Sequence, residues 1–393
     1  MAETEPSLQV VLKVASRCNL NCSYCYVYNK GDDAWRLRPA LMSEEVFDAG
    51  IERARRHCLR SRQRSLSIIF HGGEPCLLGV ERFDQYCRRA KKALAEITRV
   101  CLVLQTNGTL LDDEWARVLK ANQVNVAVSL DGPREVNDVF RVDHGGGGSH
   151  EAVMRGVDAL RRAGIPLQIL SVIQFGIDGC RVHRHFAQLG ATTINYLFPD
   201  YTHDTIEEVR RRFGPMPCAD YLIPVFDDWW SNSTLNLRIV LFWNIARLIL
   251  GGECEVDLFG NKPFGFLFVE ADGSIEGLDV LKICQPGITQ TGLNVLRDDF
   301  SRLGETSPLH KATILDGVPL PRACTSCPEE TTCAGGYLPH RFSSAHNFDN
   351  PSVWCADILA LFEHIRKKLE VSTSETLLRR QLLRELAAEA GTQ

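Results

Sequence analysis

The 393-residue chain has no apolar run long enough to cross a membrane. The longest, Ile239 to Leu250, is broken by Asn244 and Arg247. It also lacks a strong excess of either charge: 44 Lys and Arg stand against 49 Asp and Glu. That balance excludes a nucleic-acid binder working by bulk electrostatics. The acidic, polar start, Met1–Ser7, does not read as a secretory signal, so a cytoplasmic protein with no membrane or nucleic-acid partner is expected. No internal repeat is present, and the one low-complexity patch, Gly145–Gly148, reads as a flexible loop. Cysteine is abundant: fifteen residues in a chain without a secretory signal point to metal or redox chemistry rather than a disulfide scaffold. With 45% hydrophobic and 24% charged residues the composition is that of a globular protein. The length suits two packed domains, because single cores stop growing near ~250–300 residues.

The first half alternates apolar runs with amphipathic stretches. Strands are predicted at Leu8–Val14, Leu66–His71, Cys101–Thr106, Val124–Leu130, Leu167–Ile173 and Ile194–Phe198. Helices are predicted between them at Ser43–Cys58, Arg82–Ile97, Asp112–Asn122, His150–Ala163 and Arg181–Leu189. Ser43 and Asp112 serve as N-caps, and Gly164–Pro166 as a stop. Six strands spaced by helices predict an α/β protein with a parallel sheet, open or curled into a partial barrel. Both geometries put ligands at the C-terminal strand ends. Beyond Tyr201 the alternation stops. Residues 204–250 read as helical and aromatic, with Trp229, Trp230 and Trp243 expected in the core. Phe266–Ala271 and Ser274–Leu278, joined at Asp272-Gly273, read as a hairpin with a type I′ turn.

Cys18, Cys22 and Cys25 form C-x3-C-x2-C just after the first strand. Three thiolates can hold three irons of a [4Fe-4S] cube and leave the fourth open to bind a substrate-like molecule. A zinc site is the alternative, but structural zinc wants four ligands, and the next cysteine, Cys58, lies far along a helix. Near the other end, Cys324-x2-Cys327-x5-Cys333 and Cys355 supply four thiolates, enough to close a cube or to hold zinc. The eight remaining cysteines read as ordinary, mostly buried thiols.

The stretch Cys18-Asn-Leu-Asn-Cys22-Ser-Tyr24-Cys25-Tyr26, with Gly72-Gly73-Glu74-Pro75 closing the second strand, resembles the radical S-adenosylmethionine (SAM) enzymes. The resemblance covers residues 8–198. It implies a TIM-like partial (β/α)6 barrel whose open iron binds the amino and carboxylate groups of SAM. It also implies that Gly72, Gly73 and Glu74 meet the methionine ammonium and that Tyr24 lies near the adenine. Asn107, Ser129 and Asp131 would face the ribose and methionine groups, and Arg141 the carboxylate, which suits its planar fork.

The second cysteine group, with Gly335-Gly336-Tyr337-x2-His340-Arg341 and Phe348-Asp-Asn-Pro351, resembles the C-terminal SPASM extension of radical SAM peptide maturases. That extension usually carries two auxiliary clusters. Here Tyr337 and Leu278 stand where cysteines are expected, Cys254 alone cannot hold a cluster, and Cys284 is out of register. One auxiliary [4Fe-4S] cluster, on Cys324, Cys327, Cys333 and Cys355, is therefore expected. The implied division is a core barrel at 1–200, a helical bridge at 201–265, an auxiliary-cluster domain at 266–360 and a helical tail at 361–393. By similarity to anaerobic sulfatase maturases, Asp279 falls on a carboxylate proposed to take the substrate proton, with Glu276 in reserve.

Within the maturases, the sequence is most similar to those that join an aromatic ring carbon to the β-carbon of a nearby residue, giving a cyclophane. The implied partners are a ribosomally made precursor peptide and an electron donor such as flavodoxin or ferredoxin. Few residues precede the first strand, so a separate peptide-binding winged-helix domain is not expected there. Thioether formation and sulfatase maturation would use the same parts. An iron–sulfur electron carrier or a zinc-stabilised binding protein would explain the cysteines but not the Gly-Gly-Glu stretch.

Overall fold

The computed structural model describes residues 8–232, 237–254, 256–260, 262–263 and 265–390, and the polar stretch Met1–Ser7 lies outside them. The first half is a strand–helix alternation: β1 (Gln9–Ala15), α1 (Glu44–Ser61), β2 (Ser65–Gly72), α2 (Val80–Leu94) and β3 (Arg99–Thr106). It continues with α3 (Asp113–Ala121), β4 (Asn125–Ser129), α4 (Arg134–Phe140), α5 (His150–Ala163), β5 (Leu167–Val172), α6 (Gly179–Gln188) and β6 (Ala191–Leu197). Next come α7 (Glu207–Phe213), α8 (Pro217–Asn232), β7 (Arg238–Ile239), α9 (Val240–Ile249), β8 (Phe266–Val269), β9 (Ser274–Glu276) and β10 (Gln290–Asn294). Two helices, Cys355–Leu369 and Thr373–Ala390, end the described chain. Each of the six predicted strands is present, and the predicted caps are made: Ser43 Oγ accepts from Val46 N at 3.2 Å and Asp112 Oδ1 from Trp115 N at 2.9 Å. Helix α4 is an addition the periodicity did not predict.

The chain folds into two compact units. One comprises residues 1–171, 189–192 and 263–318, and the other 172–188, 193–262 and 319–393. In the first, β1 to β5 pair in parallel in chain order, and β8 pairs in parallel with the other side of β1. Period-two burial explains the sheet's two faces. Leu66, Ile68 and Phe70 of β2 are buried, whereas Ser67, Ile69 and His71 are half-buried on the opposite face. Phe70 packs against Phe83 of α2 at 4.7 Å, Phe47 of α1 stacks on Tyr86 at 3.9 Å, and Phe83 meets Trp115 of α3 at 5.2 Å. These rings anchor the helices so that the strand ends line up.

Strands β8 and β9 form the predicted hairpin, but the turn differs. Asp272 keeps a negative φ, which a type I′ turn forbids. Gly273 N donates to Glu270 O, Glu270 N donates to Ser274 O, and Gly273 alone adopts positive φ (83°). This is a three-residue connection with its glycine at the left-handed position.

In the second unit β6 pairs in parallel with β7, and Phe226 of α8 meets Phe242 of α9 edge-on at 5.2 Å. Trp354 is its largest fully buried side chain, packed against Phe175 and Tyr201. The expectation that three tryptophans fill the core is corrected: Trp230 and Trp243 are nearly half exposed and Trp229 is half-buried. The apolar faces of α8 and α9 are filled by Phe226, Phe242, Ile245 and Leu248 instead. Among the described residues no helix is long and apolar enough to cross a membrane.

Candidate active site

The loop carrying Cys18, Cys22 and Cys25 leaves the C-terminal end of β1 and is bonded to its neighbours by backbone. Gly73 N donates to Ala15 O at 2.8 Å and Glu74 N to Arg17 O at 2.9 Å. Asn21 N and Ser23 N donate to Val142 O and Phe140 O. The two glycines are needed for this approach: a Cβ on Gly72 would lie 2.2 Å from Ala15 O, and one on Gly73 2.0 Å from the Tyr28 hydroxyl.

The three thiols sense one another. Burial pushes Cys18 up to about 12, with Glu74, Cys22 and Cys25 adding to the rise. Burial likewise raises Cys22 and Cys25, against the pull of Arg141. Crowded, desolvated thiols become good ligands only when a metal's positive charge displaces their protons. Among the described residues no three His, Cys, Asp or Glu side chains converge as ligands of a single ion must. Three crowded, largely buried thiols on one loop are the donor set that a cube takes on three of its irons.

Around this loop the expected strand-end residues assemble. Glu74 is fully buried, and its carboxylate accepts from Cys76 N (2.9 Å), Thr106 Oγ1 (2.7 Å) and Asn107 N (2.7 Å). Three of its roughly four acceptor positions are thus taken by protein. These bonds fasten the end of β2 to the end of β3. Asn107 Nδ2 donates to Asn19 Oδ1 at 2.8 Å and lies 3.8 Å from Cys18 Sγ. Ser129 Oγ accepts from Gln105 Nε2 at 3.0 Å. Tyr24 links Asp131 and Arg141: its hydroxyl donates to Asp131 Oδ2 at 2.6 Å and accepts from Arg141 Nη1 at 2.8 Å. Arg141 is buried, and its Nε has no protein acceptor. A desolvated guanidinium with an unused donor beside Cys22 suits a carboxylate ligand.

Asp279 sits in a buried ring of charge that the sequence did not reveal. Lys13 Nζ lies 2.7 Å from its Oδ2, and the Tyr26 hydroxyl donates to the same oxygen at 2.5 Å. Glu270 pairs with Arg38 at 3.0 Å and Lys282 at 2.9 Å, and Glu276 pairs with Lys282 and Arg38. Three cations offset three carboxylates, all nearly dry, so charge balance holds the ring. Burial works to raise the Asp279 carboxyl, but Lys13, His71 and Lys282 outweigh it and hold it below its ordinary value. Burial drops the His71 imidazole to about 4. The clue in the sequence was Lys13 itself, a lone charge in the apolar strand VVLKVA. Glu276, the reserve carboxylate, is locked into ion pairs and to Thr289.

In the second unit Cys324, Cys327, Cys333 and Cys355 line one small cavity with Ser352 and Leu359. Burial raises the Cys333 thiol, and the nearness of Cys355, Cys324 and Cys327 raises it further. Four mutually close thiols are a full ligand set for a cube. Tyr337 contacts the ring of His340 edge-on at 5.1 Å. All fifteen cysteines are free. Of the eight outside the two groups, Cys58, Cys76, Cys87 and Cys218 are buried, and Cys101, Cys180, Cys254 and Cys284 are half-buried.

The chain matches the radical SAM superfamily over residues 12–213. It is 30% identical over 391 residues to the serine-type anaerobic sulfatase-maturating enzyme of Bacteroides thetaiotaomicron, covering 95% of this chain and 92% of that one. It is 25% identical over 376 residues to the cysteine-type enzyme of Clostridium perfringens, covering 93% and 98% respectively. The solved structure of native anSMEcpe with bound AdoMet and the Cp18Cys peptide superposes with a TM-score of 0.76. It is 23% identical and covers 93% of this chain and 98% of that one. The fold is thus the α/β radical SAM fold with a parallel sheet, matching structures that carry a SPASM-like C-terminal domain. The chain belongs to the radical SAM superfamily and is close to the anaerobic sulfatase maturases, so SAM and a [4Fe-4S] cluster are its implied cofactors.

Proposed function

We propose that this radical SAM enzyme modifies a ribosomally made precursor peptide by removing a hydrogen atom from an unactivated carbon. The product is a carbon–carbon cross-link between an aromatic ring and the β-carbon of a nearby residue. Cys18, Cys22 and Cys25 would hold the SAM-cleaving cluster, and Cys324, Cys327, Cys333 and Cys355 one auxiliary cluster. When bound, the first cluster and SAM supply a 5′-deoxyadenosyl radical.

The remaining work is the protein's. Arg141 would receive the SAM carboxylate through its unused Nε, with Tyr24 and Asp131 holding the guanidinium. Asn107 and Ser129 would present polar groups to the ribose and methionine. Gly72 and Gly73 let β2 close on the cluster loop, and Glu74 holds Asn107 in place. An oxidised product must shed a proton, and Asp279, kept ionised beside Lys13, would accept it. An electron donor such as flavodoxin or ferredoxin would feed the first cluster.

The observation that favours cross-linking is Leu278. It is buried where the auxiliary-cluster pattern has its hairpin cysteine, leaving one complete four-thiol set rather than two. The second reading is sulfatase maturation, favoured by 30% identity across 95% of the chain. Mass spectrometry of a co-expressed precursor separates them. Loss of two hydrogens, with fragmentation locating a ring-to-β-carbon bond and no aldehyde captured by a hydrazine, supports cross-linking. An aldehyde on a sulfatase-derived peptide supports the other.

A further inference from the structure

Beside the charge ring, a small cavity of about 10 Å³ opens under the end of β1. Lys13, Ser16, Tyr28 and Trp35 line it, together with Arg38, Glu270 and Lys282 of the ring and with Asp32. Ser16 Oγ, the Tyr28 hydroxyl and Trp35 Nε1 are buried atoms without a protein partner. Lys13 keeps N–H groups beyond its contact with Asp279. Ser16 and Lys13 are more than nine-tenths buried.

Four buried polar groups, three of them without a protein partner, therefore border a space of about one water. Their chemistry is complementary. Lys13 and Trp35 can only donate, whereas the two hydroxyls can accept. A water has two lone pairs for the first two and two hydrogens for the others, so one molecule matches the four in donor and acceptor count. A carboxylate could accept from all four but is too large for the space.

We propose that this cavity binds one ordered water, held by Trp35, Ser16 and Tyr28, that positions Lys13 against Asp279. Trp35 is then a positioning residue for the proton-accepting pair. Its ring is fixed independently of the water: Tyr28 packs edge-on at 4.8 Å, the Arg17 guanidinium lies 5.2 Å above it, and Arg17 Nη1 donates to Trp35 O at 2.7 Å. Trp35→Phe therefore removes the indole N–H while keeping an aromatic ring.

The water's role rests on Asp279 being the proton acceptor; its existence does not. The test is an anaerobic high-resolution crystal structure of the cluster-loaded protein and of Trp35→Phe, with turnover measured on both. We expect a solvent peak within hydrogen-bond distance of all four atoms, lost in Trp35→Phe. Product formed per 5′-deoxyadenosine should fall about fivefold, the size of one lost hydrogen bond. The acid limb of product formation should move to higher pH as Lys13 loosens from Asp279. Ser16→Ala gives the same readout if Trp35→Phe folds poorly. A dry cavity, a cavity filled by SAM or peptide atoms, or an unchanged water in Trp35→Phe overturns the site. Loss of the water with product ratio and pH limb unmoved overturns its positioning role. Full activity of Asp279→Asn would instead overturn the proton-acceptor function while leaving the water standing.

Discussion

Lys13 Nζ and Asp279 Oδ2 lie 2.7 Å apart in nearly dry surroundings, joining the first strand of the sheet to the segment that follows the β8–β9 hairpin. Each is the other's nearest partner of opposite charge, and a desolvated ion that loses its partner costs several kcal/mol. Lys13→Met should therefore destabilise the fold by about 3–5 kcal/mol. Calorimetry of the cluster-loaded protein checks this. Where the variant still folds, the Asp279 carboxyl rises and less of it is ionised at a given pH, so product formation fails at higher pH than in the native protein.

Asp279→Asn keeps the shape and removes the proposed proton acceptor. Product should fall by about 10²–10⁴, the usual contribution of a general base, while 5′-deoxyadenosine still forms. A parallel loss of both products would place Asp279 in SAM cleavage instead.

The two cysteine groups should load independently. Native protein should carry about eight irons, and Cys333→Ala about four, with 5′-deoxyadenosine formation retained. Iron analysis with anaerobic turnover measures both. About twelve irons in the native protein would require a third site.

His71 should not titrate near neutrality. Its imidazole, ordinarily near 6.5, is held near 4 by burial. Between those values the unfolded chain binds a proton that the folded protein refuses. Stability is therefore lost as pH falls from about 6.5 to 4, by up to about 3 kcal/mol. Imidazole resonances followed by NMR give the midpoint directly, and His71→Gln should flatten the pH dependence of unfolding.

Much of this could be read along the chain. Ser43 and Asp112 announce their helices because a cap is a local event, and the six strands show because burial alternates residue by residue. The cysteine spacings and Gly72-Gly73-Glu74 were legible for the same reason. What failed were relations between distant segments. Lys13 draws its partners from residues 270–282, and no periodicity encodes that. Glu74 turns inward because β3 supplies Thr106 and the Asn107 amide. Trp230 and Trp243 sit on helices whose apolar surface exceeds what the second unit's core can cover. The hairpin turn escapes the sequence because Asp-Gly serves both a type I′ turn and a longer connection, and only backbone torsions tell them apart.

SAM cleavage at the three-cysteine cluster is most directly read from 5′-deoxyadenosine produced by anaerobically reconstituted, reduced protein. Native protein should form it, and Cys22→Ala, retaining about four irons in the second unit, should form none. Fully loaded native protein that yields no 5′-deoxyadenosine, or a Cys22→Ala variant that yields as much as native, would contradict the assignment.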